Sequence, residues 1–182
     1  MTTSADVLAL VSSALLTKRD DDTYPTPAED RVKRPGDLPT QSEEYPILKL
    51  RLVSETRQAT GRGSIGFTTT ATIRVVGEVS AQADLGGPDN SDIEAQLWAL
   101  KRASEIAIIN SYPLFGVVSQ LSSVQSQLSF TAQATHLAGI QADFAFEFWE
   151  DGDDFAPIAA TVVTGFDVHL PAGPGFSTSP PL

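Results

Sequence analysis

Few side chains in this sequence could carry a reaction, and their spacing argues against one. Gly61-Arg62-Gly63-Ser64-Ile65-Gly66 has the glycines of a phosphate-binding loop. It lacks the Gly-Lys-Ser/Thr ending that holds phosphate and magnesium, and the residues after it alternate at period two instead of opening a helix. Ser64 is no nucleophile elbow, because Arg62 stands where Gly-x-Ser-x-Gly requires glycine. The segment reads as a hairpin tip. Glu150-Asp151-Gly152-Asp153-Asp154 resembles part of a calcium loop, but the alternating carboxylates and the distant bidentate glutamate are missing. It reads as an acidic turn that ends a strand. His136 and His169 are too far apart in sequence for a local zinc signature, and with no cysteine there is no thiol nucleophile, thiolate ligand or disulfide. We assign no catalytic, cofactor or metal residue and expect a protein that is not an enzyme.

The elements that could position such groups follow from periodicity. Residues 3–18 predict a helix: Thr3 or Ser4 caps it, Asp6 suits its positive end, and Val7, Leu8, Val11, Ala14 and Leu15 form one stripe. Residues 20–44 hold Pro25, Pro27, Pro35 and Pro39 with Asp20, Asp21 and Asp22, and predict a long irregular arm reaching a neighbouring subunit. Period two then begins, first at residues 47–53 with Lys49 and Arg51 on the outer face. It resumes at 67–79, where Phe67, Ala71, Ile73, Val75 and Val79 face one way. Residues 55–66 are the expected turn between them.

A glycine- and proline-containing break at 85–90 precedes a helix over 91–111, with Ser91 and Glu94 in capping-box spacing and Ile93, Leu97, Leu100, Ser104 and Ala107 as its stripe. Two further strands are expected at 119–132 and 136–149, and in the second Phe144, Phe146 and Phe148 point inward. Residues 155–170 could supply another strand, and the proline-rich 171–182 is read as a tail. Trp98 and Trp149 are expected as core or interface anchors. The fold class is α+β: a mixed, mainly antiparallel sheet with two helices on one side, in a single domain over 1–170.

Hydrophobic content of 41% with 19% charged residues places the chain among globular proteins. Its net charge of −11 is unevenly spread: all 12 Lys and Arg lie at or before Arg102 beside 15 acids, and eight acids with no Lys or Arg follow. The C-terminal part has no cation to displace counterions, which argues against nucleic-acid binding there. Residues 1–10 carry no basic side chain ahead of the apolar run, unlike a signal peptide, and no stretch is long and apolar enough to span a membrane. The expectation is a soluble, cytoplasmic chain with no membrane partner.

Helix, arm, strand pair, helix, strand pair: from Thr3 to about Leu170 this order resembles the tail terminator proteins of long-tailed bacteriophages. The local texture that carries it is Tyr45-Pro46-Ile47-Leu48-Lys49-Leu50, the strand over 67–79 leading into the helix over 91–111, and Phe144-Ala145-Phe146-Glu147-Phe148-Trp149. The resemblance implies a structural virion protein, assembled in the host cytoplasm and placed at the tail–neck junction. It implies a hexameric ring that caps the tail tube and presents a surface to the head-side connector, with a sheath as a further partner if the tail contracts. No cofactor or catalytic residue comes with it. The candidate subunit or partner contacts are Lys49, Arg51, Arg62 and Arg74 on the basic side and Asp151, Asp153 and Asp154 on the acidic side; ring contacts built from them should weaken at high salt. Two readings stay open beside it, another neck or head-completion ring and a small-ligand or carbohydrate-binding β-rich module.

Overall fold

A computed structural model describes residues 2–34, 44–63, 66–82, 90–132 and 135–155. Helix α1 (Ser4–Leu16) is capped as its sequence requires. The Thr3 hydroxyl accepts from the Asp6 amide at 3.2 Å, and the Asp6 carboxylate accepts from the Thr3 amide at 2.9 Å. Its buried positions Ser4, Val7, Val11 and Leu15 recur at three and four residues, so one stripe faces the sheet.

Five strands follow: β1 (Val32–Lys33), β2 (Ile47–Ala59), β3 (Phe67–Gln82), β4 (Gln120–Ala132) and β5 (Thr135–Glu150). They stand in the order β1-β2-β3-β5-β4. All neighbours are antiparallel except β1, which runs parallel to β2. The architecture is therefore α+β, with a mixed sheet. Each hairpin supplies one inner strand, and β3 and β5 join the two along their whole lengths, from Phe67 opposite Glu150 to Gln82 opposite Thr135.

Helix α2 (Asn90–Ile109) crosses β3 and β5, α1 lies over β2 beside it, and the short α3 (Tyr112–Phe115) leads into β4. The helix–sheet layer holds the core. Phe144, Phe146 and Phe148 of β5 are buried under the helices with Ala71, Ile73 and Val75 of β3, Leu48 and Leu50 of β2, and Leu97, Leu100 and Ile108 of α2. Burial alternates strictly from Ala71 to Ser80, as the period-two pattern requires.

The structure departs from expectation in four places. Residues 55–59 are strand, not turn: β2 continues to Ala59 opposite Phe67. A bulge between Leu52 and Ser54 makes this possible. The extra residue flips the pleat, so Glu55 and Arg57 fall on the helix side, and the apolar alternation that ends at Leu52 no longer marks the strand. Second, residues 20–34 do not reach outward from the domain. Thr26 and Ala28 are buried, the Arg31 guanidinium donates to the Pro46 carbonyl at 2.9 Å, and β1 pairs with β2. The rest of the expected arm, 35–43, lies outside the described residues. Third, Trp98 and Trp149 are 44% and 50% exposed, so of the two expected roles, core or interface anchor, the core one is excluded. Fourth, α2 already includes Ser91, whose side chain, like 156–182 with His169, lies outside the described residues.

One contact fixes how closely α2 approaches the sheet. A Cβ on Gly77 would stand 2.8 Å from Leu100 Cδ2 and 3.2 Å from Ile140 Cγ2. Glycine is therefore needed here for close approach, not for a special backbone angle. We expect Gly77→Val to destabilise the fold by about 1–3 kcal/mol through overpacking, read as a lower midpoint in urea unfolding; an unchanged midpoint would contradict this packing.

Candidate functional site

The face of the sheet away from the helices carries three of the basic residues singled out in the sequence. Arg51, Arg74, Asp143 and Gln125 form one row across β2, β3, β5 and β4. The Arg74 guanidinium grips Asp143 bidentately, Nε to Oδ1 at 2.7 Å and Nη2 to Oδ2 at 2.8 Å. This pairing holds the Asp143 carboxyl below its ordinary range and raises Arg74. Lys49 reaches Glu78 at 2.9 and 3.0 Å. Two of the three cations are thus neutralised within their own subunit, and Arg51 stays exposed beside Arg74. The rest of the face is mostly threonine, serine and glutamine, interrupted by Val76, Ala145 and the half-exposed Trp149, with Gln120 donating to Glu147 at 2.5 Å.

Arg62 and the three aspartates sit elsewhere, together at one end of the sheet. Arg62 is exposed at the β2–β3 tip, and β5 ends opposite that tip. There a 3-10 turn (Gly152–Phe155) follows β5. Asp154 accepts from the Asp151 amide at 2.9 Å and Asp151 from the Gly152 amide at 2.6 Å, so this acidic stretch closes on its own backbone. Among the described residues no cluster of His, Asp and Glu has the shape of a metal site.

Beneath that turn is a polar cluster that the sequence does not reveal. Glu150 is 2% exposed, yet it sits among polar partners. Arg57 donates to it from Nε at 2.8 Å and from Nη2 at 3.4 Å, and the Thr69 hydroxyl also donates to it. Arg57 pairs with Glu55 at 2.8 Å, and Glu55 accepts from Ser4 at the start of α1. The Arg57 hydrogen bonds dominate in holding the Glu150 carboxyl below its ordinary range, with Thr69 adding to them. Phe155 packs edge-on against Phe67 at 5.5 Å, with the Arg57 guanidinium 5.7 Å from its ring. The cluster ties α1, both hairpins and the post-β5 turn into one corner.

The two edges of the sheet are unlike. On one side, among the described residues, β1 covers β2 only at Leu48 and Lys49, and the remainder of β2 carries Arg51, Glu55 and Arg57. On the other side β4 is 13 residues long, contains no charged residue and no proline, and is exposed from Ser122 to Gln127. Natural edge strands are ordinarily guarded by lysine, proline or inward charge. Here a bulge between Leu121 and Ser123 near one end is the guard that the pairing provides. The sequence does carry a signal for this edge, because residues 106–142 hold no Asp, Glu, Lys or Arg.

Between the ends of α1 and α2 lies an open groove of about 430 Å³, lined by Leu10, Ala14, Arg19, Ile106, Asn110 and Tyr112 among others. Its titratable side chains, Arg19 and Tyr112, form no nucleophile–base pair. No protein-family model matches the chain, and no curated protein matches it.

The corner cluster gives a pH dependence with a definite sign. The Glu150 and Asp143 carboxyls are depressed in the fold, so their contribution is complete above the ordinary carboxylate range and lost as pH falls through the lowered folded values. We expect stability to fall below about pH 4. Glu150→Gln should cost about 1–3 kcal/mol at neutral pH and flatten the acid side of the profile, measured by urea unfolding across pH. An equally steep acid slope in the variant would contradict the assignment.

Proposed function

We infer that this chain is the repeating subunit of a ring that caps a phage tail tube, in the manner of tail terminators, ending tube growth and offering its other face to the connector or neck protein. One observation carries the reading: the sheet ends in two unlike flanks, a charged one at β2 and an uncharged, exposed one at β4. Head-to-tail contacts between copies need two different surfaces that complement each other, and such contacts close into a ring when the rotation allows. The order of elements supports the tail-terminator form of that reading, with α1 over β2, α2 over β3 and β5, and both helices on one side.

Charge takes a smaller part in these contacts than the sequence suggests. Lys49 and Arg74 are engaged inside the subunit, which leaves Arg51, Arg62 and the Asp151–Asp154 turn for neighbours and partners. Exposed ion pairs of this kind contribute under about 1 kcal/mol each, so salt should loosen the ring without dissolving it.

The test uses tail tubes of the phage that encodes the chain. Added full-length protein is expected to appear as a disc at one tube end in negative-stain images and to stop further growth from that end. Binding along the tube wall, or no binding to tubes, would overturn the capping role.

A further inference from the structure

Among the described residues no strand covers the long outer edge of β4, and Phe155 marks where the rest of the chain begins. The described chain stops at Phe155, fixed against Phe67 and Arg57 at the β2–β3 corner. In the strand order this corner lies on the flank away from β4, with β5 between β3 and β4. The 27 residues that follow begin at Phe155 on the β2–β3 side, with β5 between that point and their own β4 edge. Their first part, 156–170, contains Ile158, Thr161, Val162, Val163, Thr164 and Val168, a composition suited to a strand. Asp167 is its sole charged residue besides His169, so it meets the uncharged β4 without like-charge conflict. Fifteen extended residues span about 50 Å, enough to run the length of β4.

We propose that residues 156–170 of one copy add to the β4 edge of the next copy as a sixth strand, so that successive subunits are joined by main-chain hydrogen bonds. The proposal rests on the ring reading and names the contact that closes it. Strand addition draws its affinity from the unpaired backbone of the edge and its register from alternate side chains. It also supplies what β4 lacks among the described residues, a partner for the backbone groups that no charged side chain protects. The acceptor is thus the β4 flank and the donor follows Phe155 at the β2–β3 corner, two unlike surfaces of the kind that a closed ring requires.

The chain has no cysteine, so engineered pairs report contacts without background. Ser126→Cys marks the exposed middle of β4, and single cysteines at Ala160, Val162 and Thr164 scan the donor. Full-length chains carrying one Cys on each side are mixed and oxidised, and masses are read on a denaturing gel. The expected result is covalent dimers from mixed singly substituted chains. Doubly substituted chains should give a ladder at multiples of the 19.4 kDa chain. A bond formed only within doubly substituted chains would overturn the exchange between copies. No bond at any donor position, with light scattering still showing assemblies, would overturn strand addition and leave the ring. No bond together with monomers by light scattering would overturn both.

Discussion

The pairing of β3 with β5 is the constraint on which the rest of this structure depends. These strands belong to different hairpins, and their register runs unbroken from Phe67–Glu150 to Gln82–Thr135. It sets Ala71, Ile73 and Val75 opposite Phe146, Phe144 and Ala142, on the face that the helices bury. A slip of one residue would turn Phe144 and Phe146 outward and bring Asp143 and Glu147 under α2. The same register sets Arg74 opposite Asp143 and Phe67 opposite Glu150. One alignment therefore fixes the core, the ion pair on the outer face and the buried corner.

That alignment also decides which charges remain for partners. Opposed Arg74 and Asp143 neutralise each other, as do Lys49 and Glu78, so the broad face is polar but internally balanced. Buried Glu150 is kept charged by Arg57 and Thr69, which makes the corner a specific joint between hairpins more than a source of net stability. Arg51 and Arg62, the acidic turn and the uncharged β4 edge lie at the rims of the sheet. In the proposed ring it is the flanks of the sheet that would meet neighbouring copies.

Much of the fold is legible in the sequence because its elements are amphipathic with clean periods. The stripe Ile93, Leu97, Leu100 and Ser104, the inward Phe144, Phe146 and Phe148, and the Thr3–Asp6 capping box are local patterns, and each is buried or bonded as its spacing requires. Bulges hide the rest. At Leu52–Ser54 the parity changes, so the second half of β2 reads as a turn; at Leu121–Ser123 the same device separates two inward residues by an odd step. The Arg57–Glu150 pair joins residues 93 positions apart, beyond any local rule. Thr26 and Ala28 show how a proline-rich stretch can be drawn onto a sheet by a two-residue strand that no pattern announces.

A ring of this kind requires that copies of the chain join through unlike flanks. The most direct measurement is the mass of the purified full-length protein by multi-angle light scattering over a wide range of concentration at moderate salt. The account predicts one closed multiple of 19.4 kDa that keeps its value on dilution. A 19.4 kDa monomer at every concentration, or a mass that rises without limit as an open filament would, contradicts it.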